Sequence, residues 1–461
     1  MLVAVGLLLR LATIAEDPLH PDECLYASWA AAVWPGGDML LRGVIIDKPP
    51  LFPYLLAAWG AILGRGPTAL RLLGAASAAA GMAAAIRIAQ SAAGRWPALA
   101  ATVFIALSPV GIALDATAFT DPPAVALALW ALAAARSGRP TATGVLLALA
   151  AATKPTLLAY APLALALAPE PRAREWRRFV AGITVVGALV ALWEVGRGPE
   201  MGFVTAAMEH FGLGASRAPL DFAGWGALLP WAWGGTWAMA LWTALVAAGI
   251  VAALLRRRGP AVRLLVGSGA TVALYLGLHW AIVAPAWDRY LVGLVPPLAL
   301  MAAGALGCLC RWLPRRGAAG LGVAVGLAVV LLLAGPAQEA AQSRLPLGDT
   351  SAWQGIDMVA DYFRGQVPGR ATVLYRDMGW HVRYYMAGFP QDFRWYRDAG
   401  ELAEAAGEAD PVYLLSVAGG TADEDIESLR DAGFLVRERL TTYRHDGSRA
   451  LTVSLISGAA Q

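Results

Sequence analysis

Residues 141–168 read TATGVLLALAAATKPTLLAYAPLALALA, an apolar run interrupted only at Lys154-Pro155. As one helix it would cross a bilayer once. As two arms it would enter and return, because proline lacks a backbone donor and disfavours helix at the residue before it. The arginines decide between these readings. They cluster at Arg95, at Arg136 and Arg139, at Arg172, Arg174, Arg177 and Arg178, at Arg256, Arg257, Arg258 and Arg263, and at Arg311, Arg315 and Arg316. Basic loops face the cytoplasm, and all five clusters can share that side only if the chain turns at Lys154. The stretch is therefore predicted to be a hairpin with arms Thr141–Thr153 and Pro155–Ala168.

Further runs approaching the roughly 20 apolar residues of a membrane span flank this hairpin. They are Met1–Ala15, Thr68–Ala89, Trp96–Leu114, Pro122–Ala135, Phe179–Val195, Trp237–Leu255, Leu264–Ala284, Tyr290–Leu309 and Ala318–Pro336. With the two arms they make eleven predicted crossings. Met1–Ala15 lacks the basic start of a signal peptide and reads as a first membrane helix. Of the 461 residues 58% are hydrophobic, above the roughly 45–50% of soluble proteins, so the lipid bilayer is this chain's expected solvent. The net charge of +3 is too small, and its basic residues too scattered among apolar runs, to imply a nucleic-acid partner. The three cysteines, Cys24, Cys308 and Cys310, fall on opposite sides of the expected membrane and form no disulfide framework.

An inside N-terminus and eleven crossings put the loop Glu16–Gly66, the segment Asp115–Asp121, the Lys154 turn, the loop Gly196–Gly224, the segment Pro285–Arg289 and the C-terminal tail on the outer face. Within the loop Glu16–Gly66, Glu23–Val33 and Pro50–Leu63 carry apolar residues at helical spacing, with aromatic residues suited to headgroup depth. The expected organisation is a transmembrane domain over residues 1–337, with those two juxtamembrane helices in its outer loop 16–66. A small extracytoplasmic α/β domain over residues 338–461 follows. In that tail Ala371–Tyr375, Pro411–Val417, Phe434–Tyr443 and Ala450–Ile456 read as strands, and Trp353–Phe363, Glu401–Ala406 and Asp423–Asp431 as helices.

The expected outer face gathers the residues that could carry chemistry. Asp22-Glu23, after His20-Pro21, offers two carboxylates for a general base or a metal; capping of the helix that follows is the plainer account. Asp47-Lys48-Pro49-Pro50 sets an ammonium beside a carboxylate, suited to a phosphate or to a surface ion pair. Asp121 precedes Pro122-Pro123 at a helix start, with Asp115 close by, and N-capping is again the plain alternative. Lys48 and Lys154 are the chain's two lysines among 36 basic residues, each followed by proline. A lysine at the tip of a membrane hairpin gains nothing from packing and needs an anion or water. Arg289-Tyr290 supplies a planar cation that can hold a phosphate by two bonds, or simply reach the interface. His210 and His279 lie toward the same face without metal-ligand spacing, and read as structural.

In this order the motifs resemble the membrane glycosyltransferases that use a polyprenyl-phosphate-linked sugar, a GT-C-fold group containing protein O-mannosyltransferases and the lipid A aminoarabinose transferase. The resemblance covers about the first 310 residues. It rests on Pro21-Asp22-Glu23, on Asp47-Lys48-Pro49-Pro50-Leu51 with Arg71-Leu72, on Asp121, on Lys154-Pro155, and on Arg289-Tyr290-Leu291 with Pro296-Pro297. It implies an inverting transfer with Asp22, supported by Glu23, as base on the acceptor hydroxyl. Lys48, Lys154 and Arg289 would contact the donor phosphate, and Asp47, Asp121 and Tyr290 would support the sugar or a metal. The chain departs from the aminoarabinose transferase at Asp22-Glu23-Cys24-Leu25-Tyr26, where that enzyme carries an arginine closely after the acidic pair, and this argues against aminoarabinose as the sugar.

The expectation is thus a polytopic α-helical glycosyltransferase of the plasma or inner membrane with its active site on the extracytoplasmic side. Its partners would be a polyprenyl-phosphate-linked hexose or pentose and a cell-envelope glycan, lipid or protein acceptor. No cofactor is required, and a divalent metal replacing one cation is the alternative. No P-loop or dinucleotide fingerprint occurs. A transporter or flippase of a lipid-linked substrate is the competing reading. It would place its charges near mid-bilayer in repeated halves, whereas here they collect at one face without a repeat. A structural subunit with a sensor-like outer domain would leave Lys154 unexplained.

Overall fold

The computed structural model of the protein describes residues 1–15, 17–169, 173–198, 202–210, 222–255, 259–282, 286–345, 347, 350–408, 411–419 and 421–458. They divide into two compact units, Met1–Ile14 with Ala30–Leu347, and Ala15–Trp29 with Gly348–Gln461. This differs from the expected division in two ways. The boundary lies at 347/348, and the segment bearing Asp22 and Glu23 groups with the C-terminal unit.

The helices in chain order are α1 (Leu2–Leu11), α2 (Pro21–Val33, which begins in the second unit and ends in the first), α3 (Leu51–Leu63), α4 (Pro67–Ala93), α5 (Arg95–Leu107), α6 (Pro109–Leu114), α7 (Asp121–Arg136), α8 (Pro140–Thr153), α9 (Ala161–Leu167), α10 (Ala173–Arg197), α11 (Phe203–His210), α12 (Phe222–Ala232), α13 (Thr236–Leu255), α14 (Pro260–Ile282), α15 (Val295–Cys310) and α16 (Arg315–Ala341). Short 3-10 turns, Pro155–Tyr160 and Asp288–Gly293, lead into α9 and α15. Among the described residues six spans are long and apolar enough to cross a membrane: Pro67–Ala93, Ala173–Arg197, Thr236–Leu255, Pro260–Trp280, Asp288–Cys310 and Arg315–Ala341. The chain is a multi-pass membrane protein. The other expected crossings form shorter helices. Expected span 96–114, for example, breaks where the Ser108 hydroxyl caps Gly111 N–H at 3.2 Å and Pro109 starts a new helix.

The hairpin reading holds. Arg139, Pro140 and Thr143 at the start of α8 line one cavity together with Ala164, Leu165 and Ala168 at the end of α9. A straight helix from 141 to 168 would set its ends about 40 Å apart at 1.5 Å per residue. Lys154 therefore lies at the tip, and Arg136, Arg139 and Arg263 lie toward the open end. There Arg136 donates to the Ser91 carbonyl at 2.9 Å and Arg263 to the Ala168 carbonyl at 3.1 Å.

Glycine sets the approach of α4 to the segment after α6, since a Cβ on Gly74 would lie 2.2 Å from the Thr117 carbonyl oxygen and 2.5 Å from that of Asp115. Arg10 of α1 is fully buried. Its guanidinium meets Asp115 at 2.8 Å and the carbonyls of Gly6, Ala106 and Ile105 at 2.9, 3.1 and 3.0 Å, which fixes α1 against the α5–α6 break.

The C-terminal unit is an α/β layer structure. Its elements are α17 (Ile356–Gln366), β1 (Thr372–Tyr375), α18 (Gly379–Tyr385), β2 (Asp392–Trp395), α19 (Ala399–Glu408), β3 (Val412–Val417), α20 (Ala422–Asp431), β4 (Phe434–Tyr443) and β5 (Arg449–Gly458). The strand order is β2-β1-β3-β5-β4, parallel from β2 to β3 and antiparallel beyond. Alternation of side chains along the strands gives two cores. Val373, Tyr413 and Leu415 pack with Val359 and Phe363 of α17 and Val382 of α18, while Leu374, Val412 and Leu414 pack with Leu402 of α19 and Leu429 of α20.

Candidate functional site

In the first unit the hairpin tip, the start of α7 and the turn before α15 converge. The Lys154 ammonium pairs with the Asp121 carboxylate, and both side chains are nearly enclosed, at 12% and 3% exposed. Lys154 Nζ also lies 4.7 Å from the centre of the Tyr290 ring, and the Arg289 guanidinium lies 5.6 Å from the same ring. Phe119 and Trp287 stand 5.7 and 5.5 Å from that guanidinium. Two cations thus share one aromatic ring, within the reach of cation–π attraction. Four of the residues singled out from the sequence, Asp121, Lys154, Arg289 and Tyr290, are brought together.

The backbone explains why they meet. Pro155 turns the chain into a 3-10 helix whose Tyr160 hydroxyl donates to the Gly293 carbonyl at 2.8 Å, and Tyr275 of α14 donates to the Tyr290 carbonyl at 2.9 Å. The wall behind Tyr290 is aromatic. His279 lies 4.6 Å from the Tyr290 ring and 4.2 Å from that of Tyr275, and Trp225 of α12 lies 6.4 Å from Tyr290 with the rings stacked. His279 is fully buried; Nδ1 donates to the Tyr275 carbonyl at 2.9 Å, while Nε2 has no hydrogen-bond partner among the described residues. Local sequence gives no sign of Trp225 or Tyr275, because their proximity to residue 290 arises from helix packing. The side chain of His210 lies outside the described residues.

Asp47 and Lys48 form their own pair, Nζ lying 3.2 and 3.1 Å from the two carboxylate oxygens, with both side chains less than one-fifth exposed. Leu51, three residues on, packs against Ala148 and Ala152 at the end of α8, which brings the start of α3 beside the helix end that leads to Lys154. The loop before it is fastened to α10. Buried Arg197 donates to the carbonyls of Leu41 and Val44 at 2.9 and 2.6 Å, and Arg42 donates to the Gly196 carbonyl at 2.7 Å.

In the second unit the acidic pair divides. Glu23 is fully buried and its carboxylate accepts His20 N–H at 2.8 Å, while Asp22 N–H donates to His20 Nδ1 at 3.1 Å. His20 and Glu23 thus form a reciprocal cap at the start of α2. The plain account of the pair applies to Glu23. Asp22 is half-buried and carries its carboxylate on the first helical turn. Among the described residues no three His, Cys, Asp or Glu side chains gather as a metal-binding set.

The family model of dolichyl-phosphate-mannose-protein mannosyltransferases matches residues 47–195, a stretch that holds Asp47, Lys48, Asp121 and Lys154. No curated protein sequence matches the chain. Among solved structures the chain is similar to ArnT from Cupriavidus metallidurans in the apo state, at TM-score 0.67 and 15% identity over 100% of this chain and 98% of that one. The same enzyme bound to undecaprenyl phosphate matches at TM-score 0.65 and 15% identity, over 98% and 97%. The Archaeoglobus fulgidus oligosaccharyltransferase in complex with zinc and sulfate matches at TM-score 0.54 and 11% identity, over 98% of this chain and 73% of that chain. The fold is therefore that of the GT-C membrane glycosyltransferases acting on lipid-linked sugars, as the motif order implied, and it spans both units.

Proposed function

We propose that this protein moves a sugar from a polyprenyl-phosphate donor to a hydroxyl group of a cell-envelope glycan, lipid or protein, with inversion at the anomeric carbon, on the extracytoplasmic side of the membrane. The observation that carries the reading is the pair of cations, Lys154 and Arg289, held over the Tyr290 ring with Asp121 beside them. The undecaprenyl phosphate bound by the similar ArnT structure supports a lipid phosphate as the ligand of such a cluster.

In the proposed reaction the acceptor oxygen attacks the anomeric carbon from the face opposite the phosphate. The bond from that carbon to the phosphate oxygen breaks, and the acceptor's proton passes to the Asp22 carboxylate. The leaving lipid phosphate gains negative charge, which Lys154 and Arg289 stabilise where water is excluded and electrostatic effects are stronger. Lys48, released from Asp47, is a third contact. Glu23 supports Asp22 by capping the helix that carries it. Tyr290 orients the two cations, and no metal is needed for this charge balance.

The test uses the protein in lipid nanodiscs with radiolabelled polyprenyl-phosphate monosaccharides (mannose, glucose, galactose, arabinose and aminoarabinose) and an envelope extract as acceptor. Transfer by the wild type, together with an Asp22→Asn variant that binds donor without consuming it, is the expected result. If no donor is consumed and lipid-linked substrate instead crosses the bilayer, the transporter reading replaces this one.

A further inference from the structure

Leu19 is fully buried, and both of its backbone polar groups are satisfied by side chains more than 360 positions away in the sequence. Its N–H donates to the Tyr385 hydroxyl oxygen at 2.9 Å, and its carbonyl accepts from His381 Nε2 at 2.9 Å. Buried backbone groups must find partners, and usually secondary structure supplies them. Here one helix, α18, supplies both. His381 is itself 1% exposed and stacks on Trp353 at 4.4 Å, with the Tyr385 ring parallel to it at 6.3 Å. Two residues before Leu19, Asp17 meets His445 from the turn between β4 and β5 at 3.0 Å. One residue after Leu19 the reciprocal cap of His20 and Glu23 begins, and Asp22 lies within it. The chain from Asp17 to Glu23 is therefore fixed at successive points, and its outer anchors all belong to the C-terminal unit.

We infer that His381 and Tyr385 are positioning residues for the transfer, holding the Leu19 backbone so that the first turn of α2 presents Asp22 in a fixed place. This rests on the proposed role of Asp22 as proton acceptor. Two bonds from one helix fix both peptide groups of Leu19, directly before the turn that carries Asp22, and a catalytic base misplaced by about 1 Å loses about a hundredfold in rate. The C-terminal unit, for which the sequence offers no motif, thereby acquires a task in the reaction.

The test compares full-length wild type, His381→Leu, His381→Gln and Tyr385→Phe in nanodiscs. It follows kcat, KM for donor and acceptor, donor binding, and hydrogen exchange of residues 17–23. His381→Leu removes the donor at similar volume, and His381→Gln keeps an N–H of similar reach. The expected result is a fall in kcat of about tenfold or more for His381→Leu, with donor binding unchanged and with recovery in His381→Gln. Tyr385→Phe shows a smaller fall, and exchange at Leu19 quickens in both impaired variants. If the exchange quickens while kcat stays at the wild-type value, or if His381→Gln is as slow as His381→Leu, the positioning role is overturned and the transfer reading stands. If the wild type transfers no sugar at all, the transfer reading fails first, an outcome distinct from either.

Discussion

The Lys154 ammonium and the Asp121 carboxylate, 33 positions apart, form an ion pair with side chains only 12% and 3% exposed. Neither charge could stay in that place alone. Removing one partner of a buried pair costs about 3–5 kcal/mol, whereas replacing both by apolar residues is often neutral. Lys154→Met should therefore lower the melting temperature of the protein in detergent, and Lys154→Met with Asp121→Leu should recover most of it. Transfer should not recover in the double variant. Loss of a cation aimed at developing charge costs about 10²–10³ in rate, and a double variant that transfers as fast as wild type would remove Lys154 from the chemistry.

The two adjacent acids should respond in opposite ways. Glu23→Gln keeps an acceptor for His20 N–H, since glutamine serves in such caps as glutamate does, and should leave transfer within a fewfold of wild type. Asp22→Asn should abolish it, by about 10²–10⁴ as for loss of a general base. Steady-state rates for the two variants check this. Equal losses would mean that the acids act as a unit.

Packing of α4 against the segment after α6 gives a test free of any functional assumption. Gly74→Ala would press a methyl group onto two backbone carbonyls and should destabilise the protein by about 1–3 kcal/mol, the usual cost of overpacking. Gly187→Ala, in α10 with open space around it, should be neutral or stabilising by up to about 1 kcal/mol. Thermal unfolding of both variants by tryptophan fluorescence distinguishes the two sites.

Acid should weaken the C-terminal unit through His381. Burial lowers its pKa to about 4, against smaller opposing effects from the Leu19 carbonyl and the Glu23 charge. The unfolded ring binds a proton below about 6.5 while the native ring stays neutral until about 4, so between these values unfolding takes up a proton. Stability is then lost as the pH falls through that window, and above it the ring contributes no slope. Unfolding midpoints measured from pH 7 to 4 should show His381→Gln to be less acid-sensitive than wild type.

The hairpin was legible because charge segregation is a global constraint: a single misplaced turn would have put an arginine cluster on the wrong side. Strand β4 was legible as Phe434–Tyr443 because its length and β-branched content mark it. Edge strand β2, Asp392–Trp395, is hard to read because four mostly exposed residues are too short for their polar–aromatic alternation to stand out. Helix α18 went unread because seven residues rich in aromatics have no usable period. At the site, Asp121, Lys154, Arg289 and Tyr290 stood out as charged or amphipathic residues in costly surroundings. His279 was read as structural, and Trp225 and Tyr275 were silent. Their meaning comes from α12 and α14 packing against residue 290, a contact that no local pattern encodes.

Helix α8 has 14 residues, hence a length of about 21 Å, while the hydrocarbon core of a bilayer is about 30 Å thick. A hairpin with one end at a membrane interface would therefore end short of the opposite headgroups, with Lys154 below their plane. The surrounding lipid would then thin toward the tip, or water would reach down to it. In either case a lipid-anchored phosphate would meet the Lys154 cluster by sinking a few ångströms, with its hydrocarbon chain still among the acyl tails. The depth of the lysine would select for substrates that never leave the membrane and exclude water-soluble sugar phosphates, which have no tail to anchor them there.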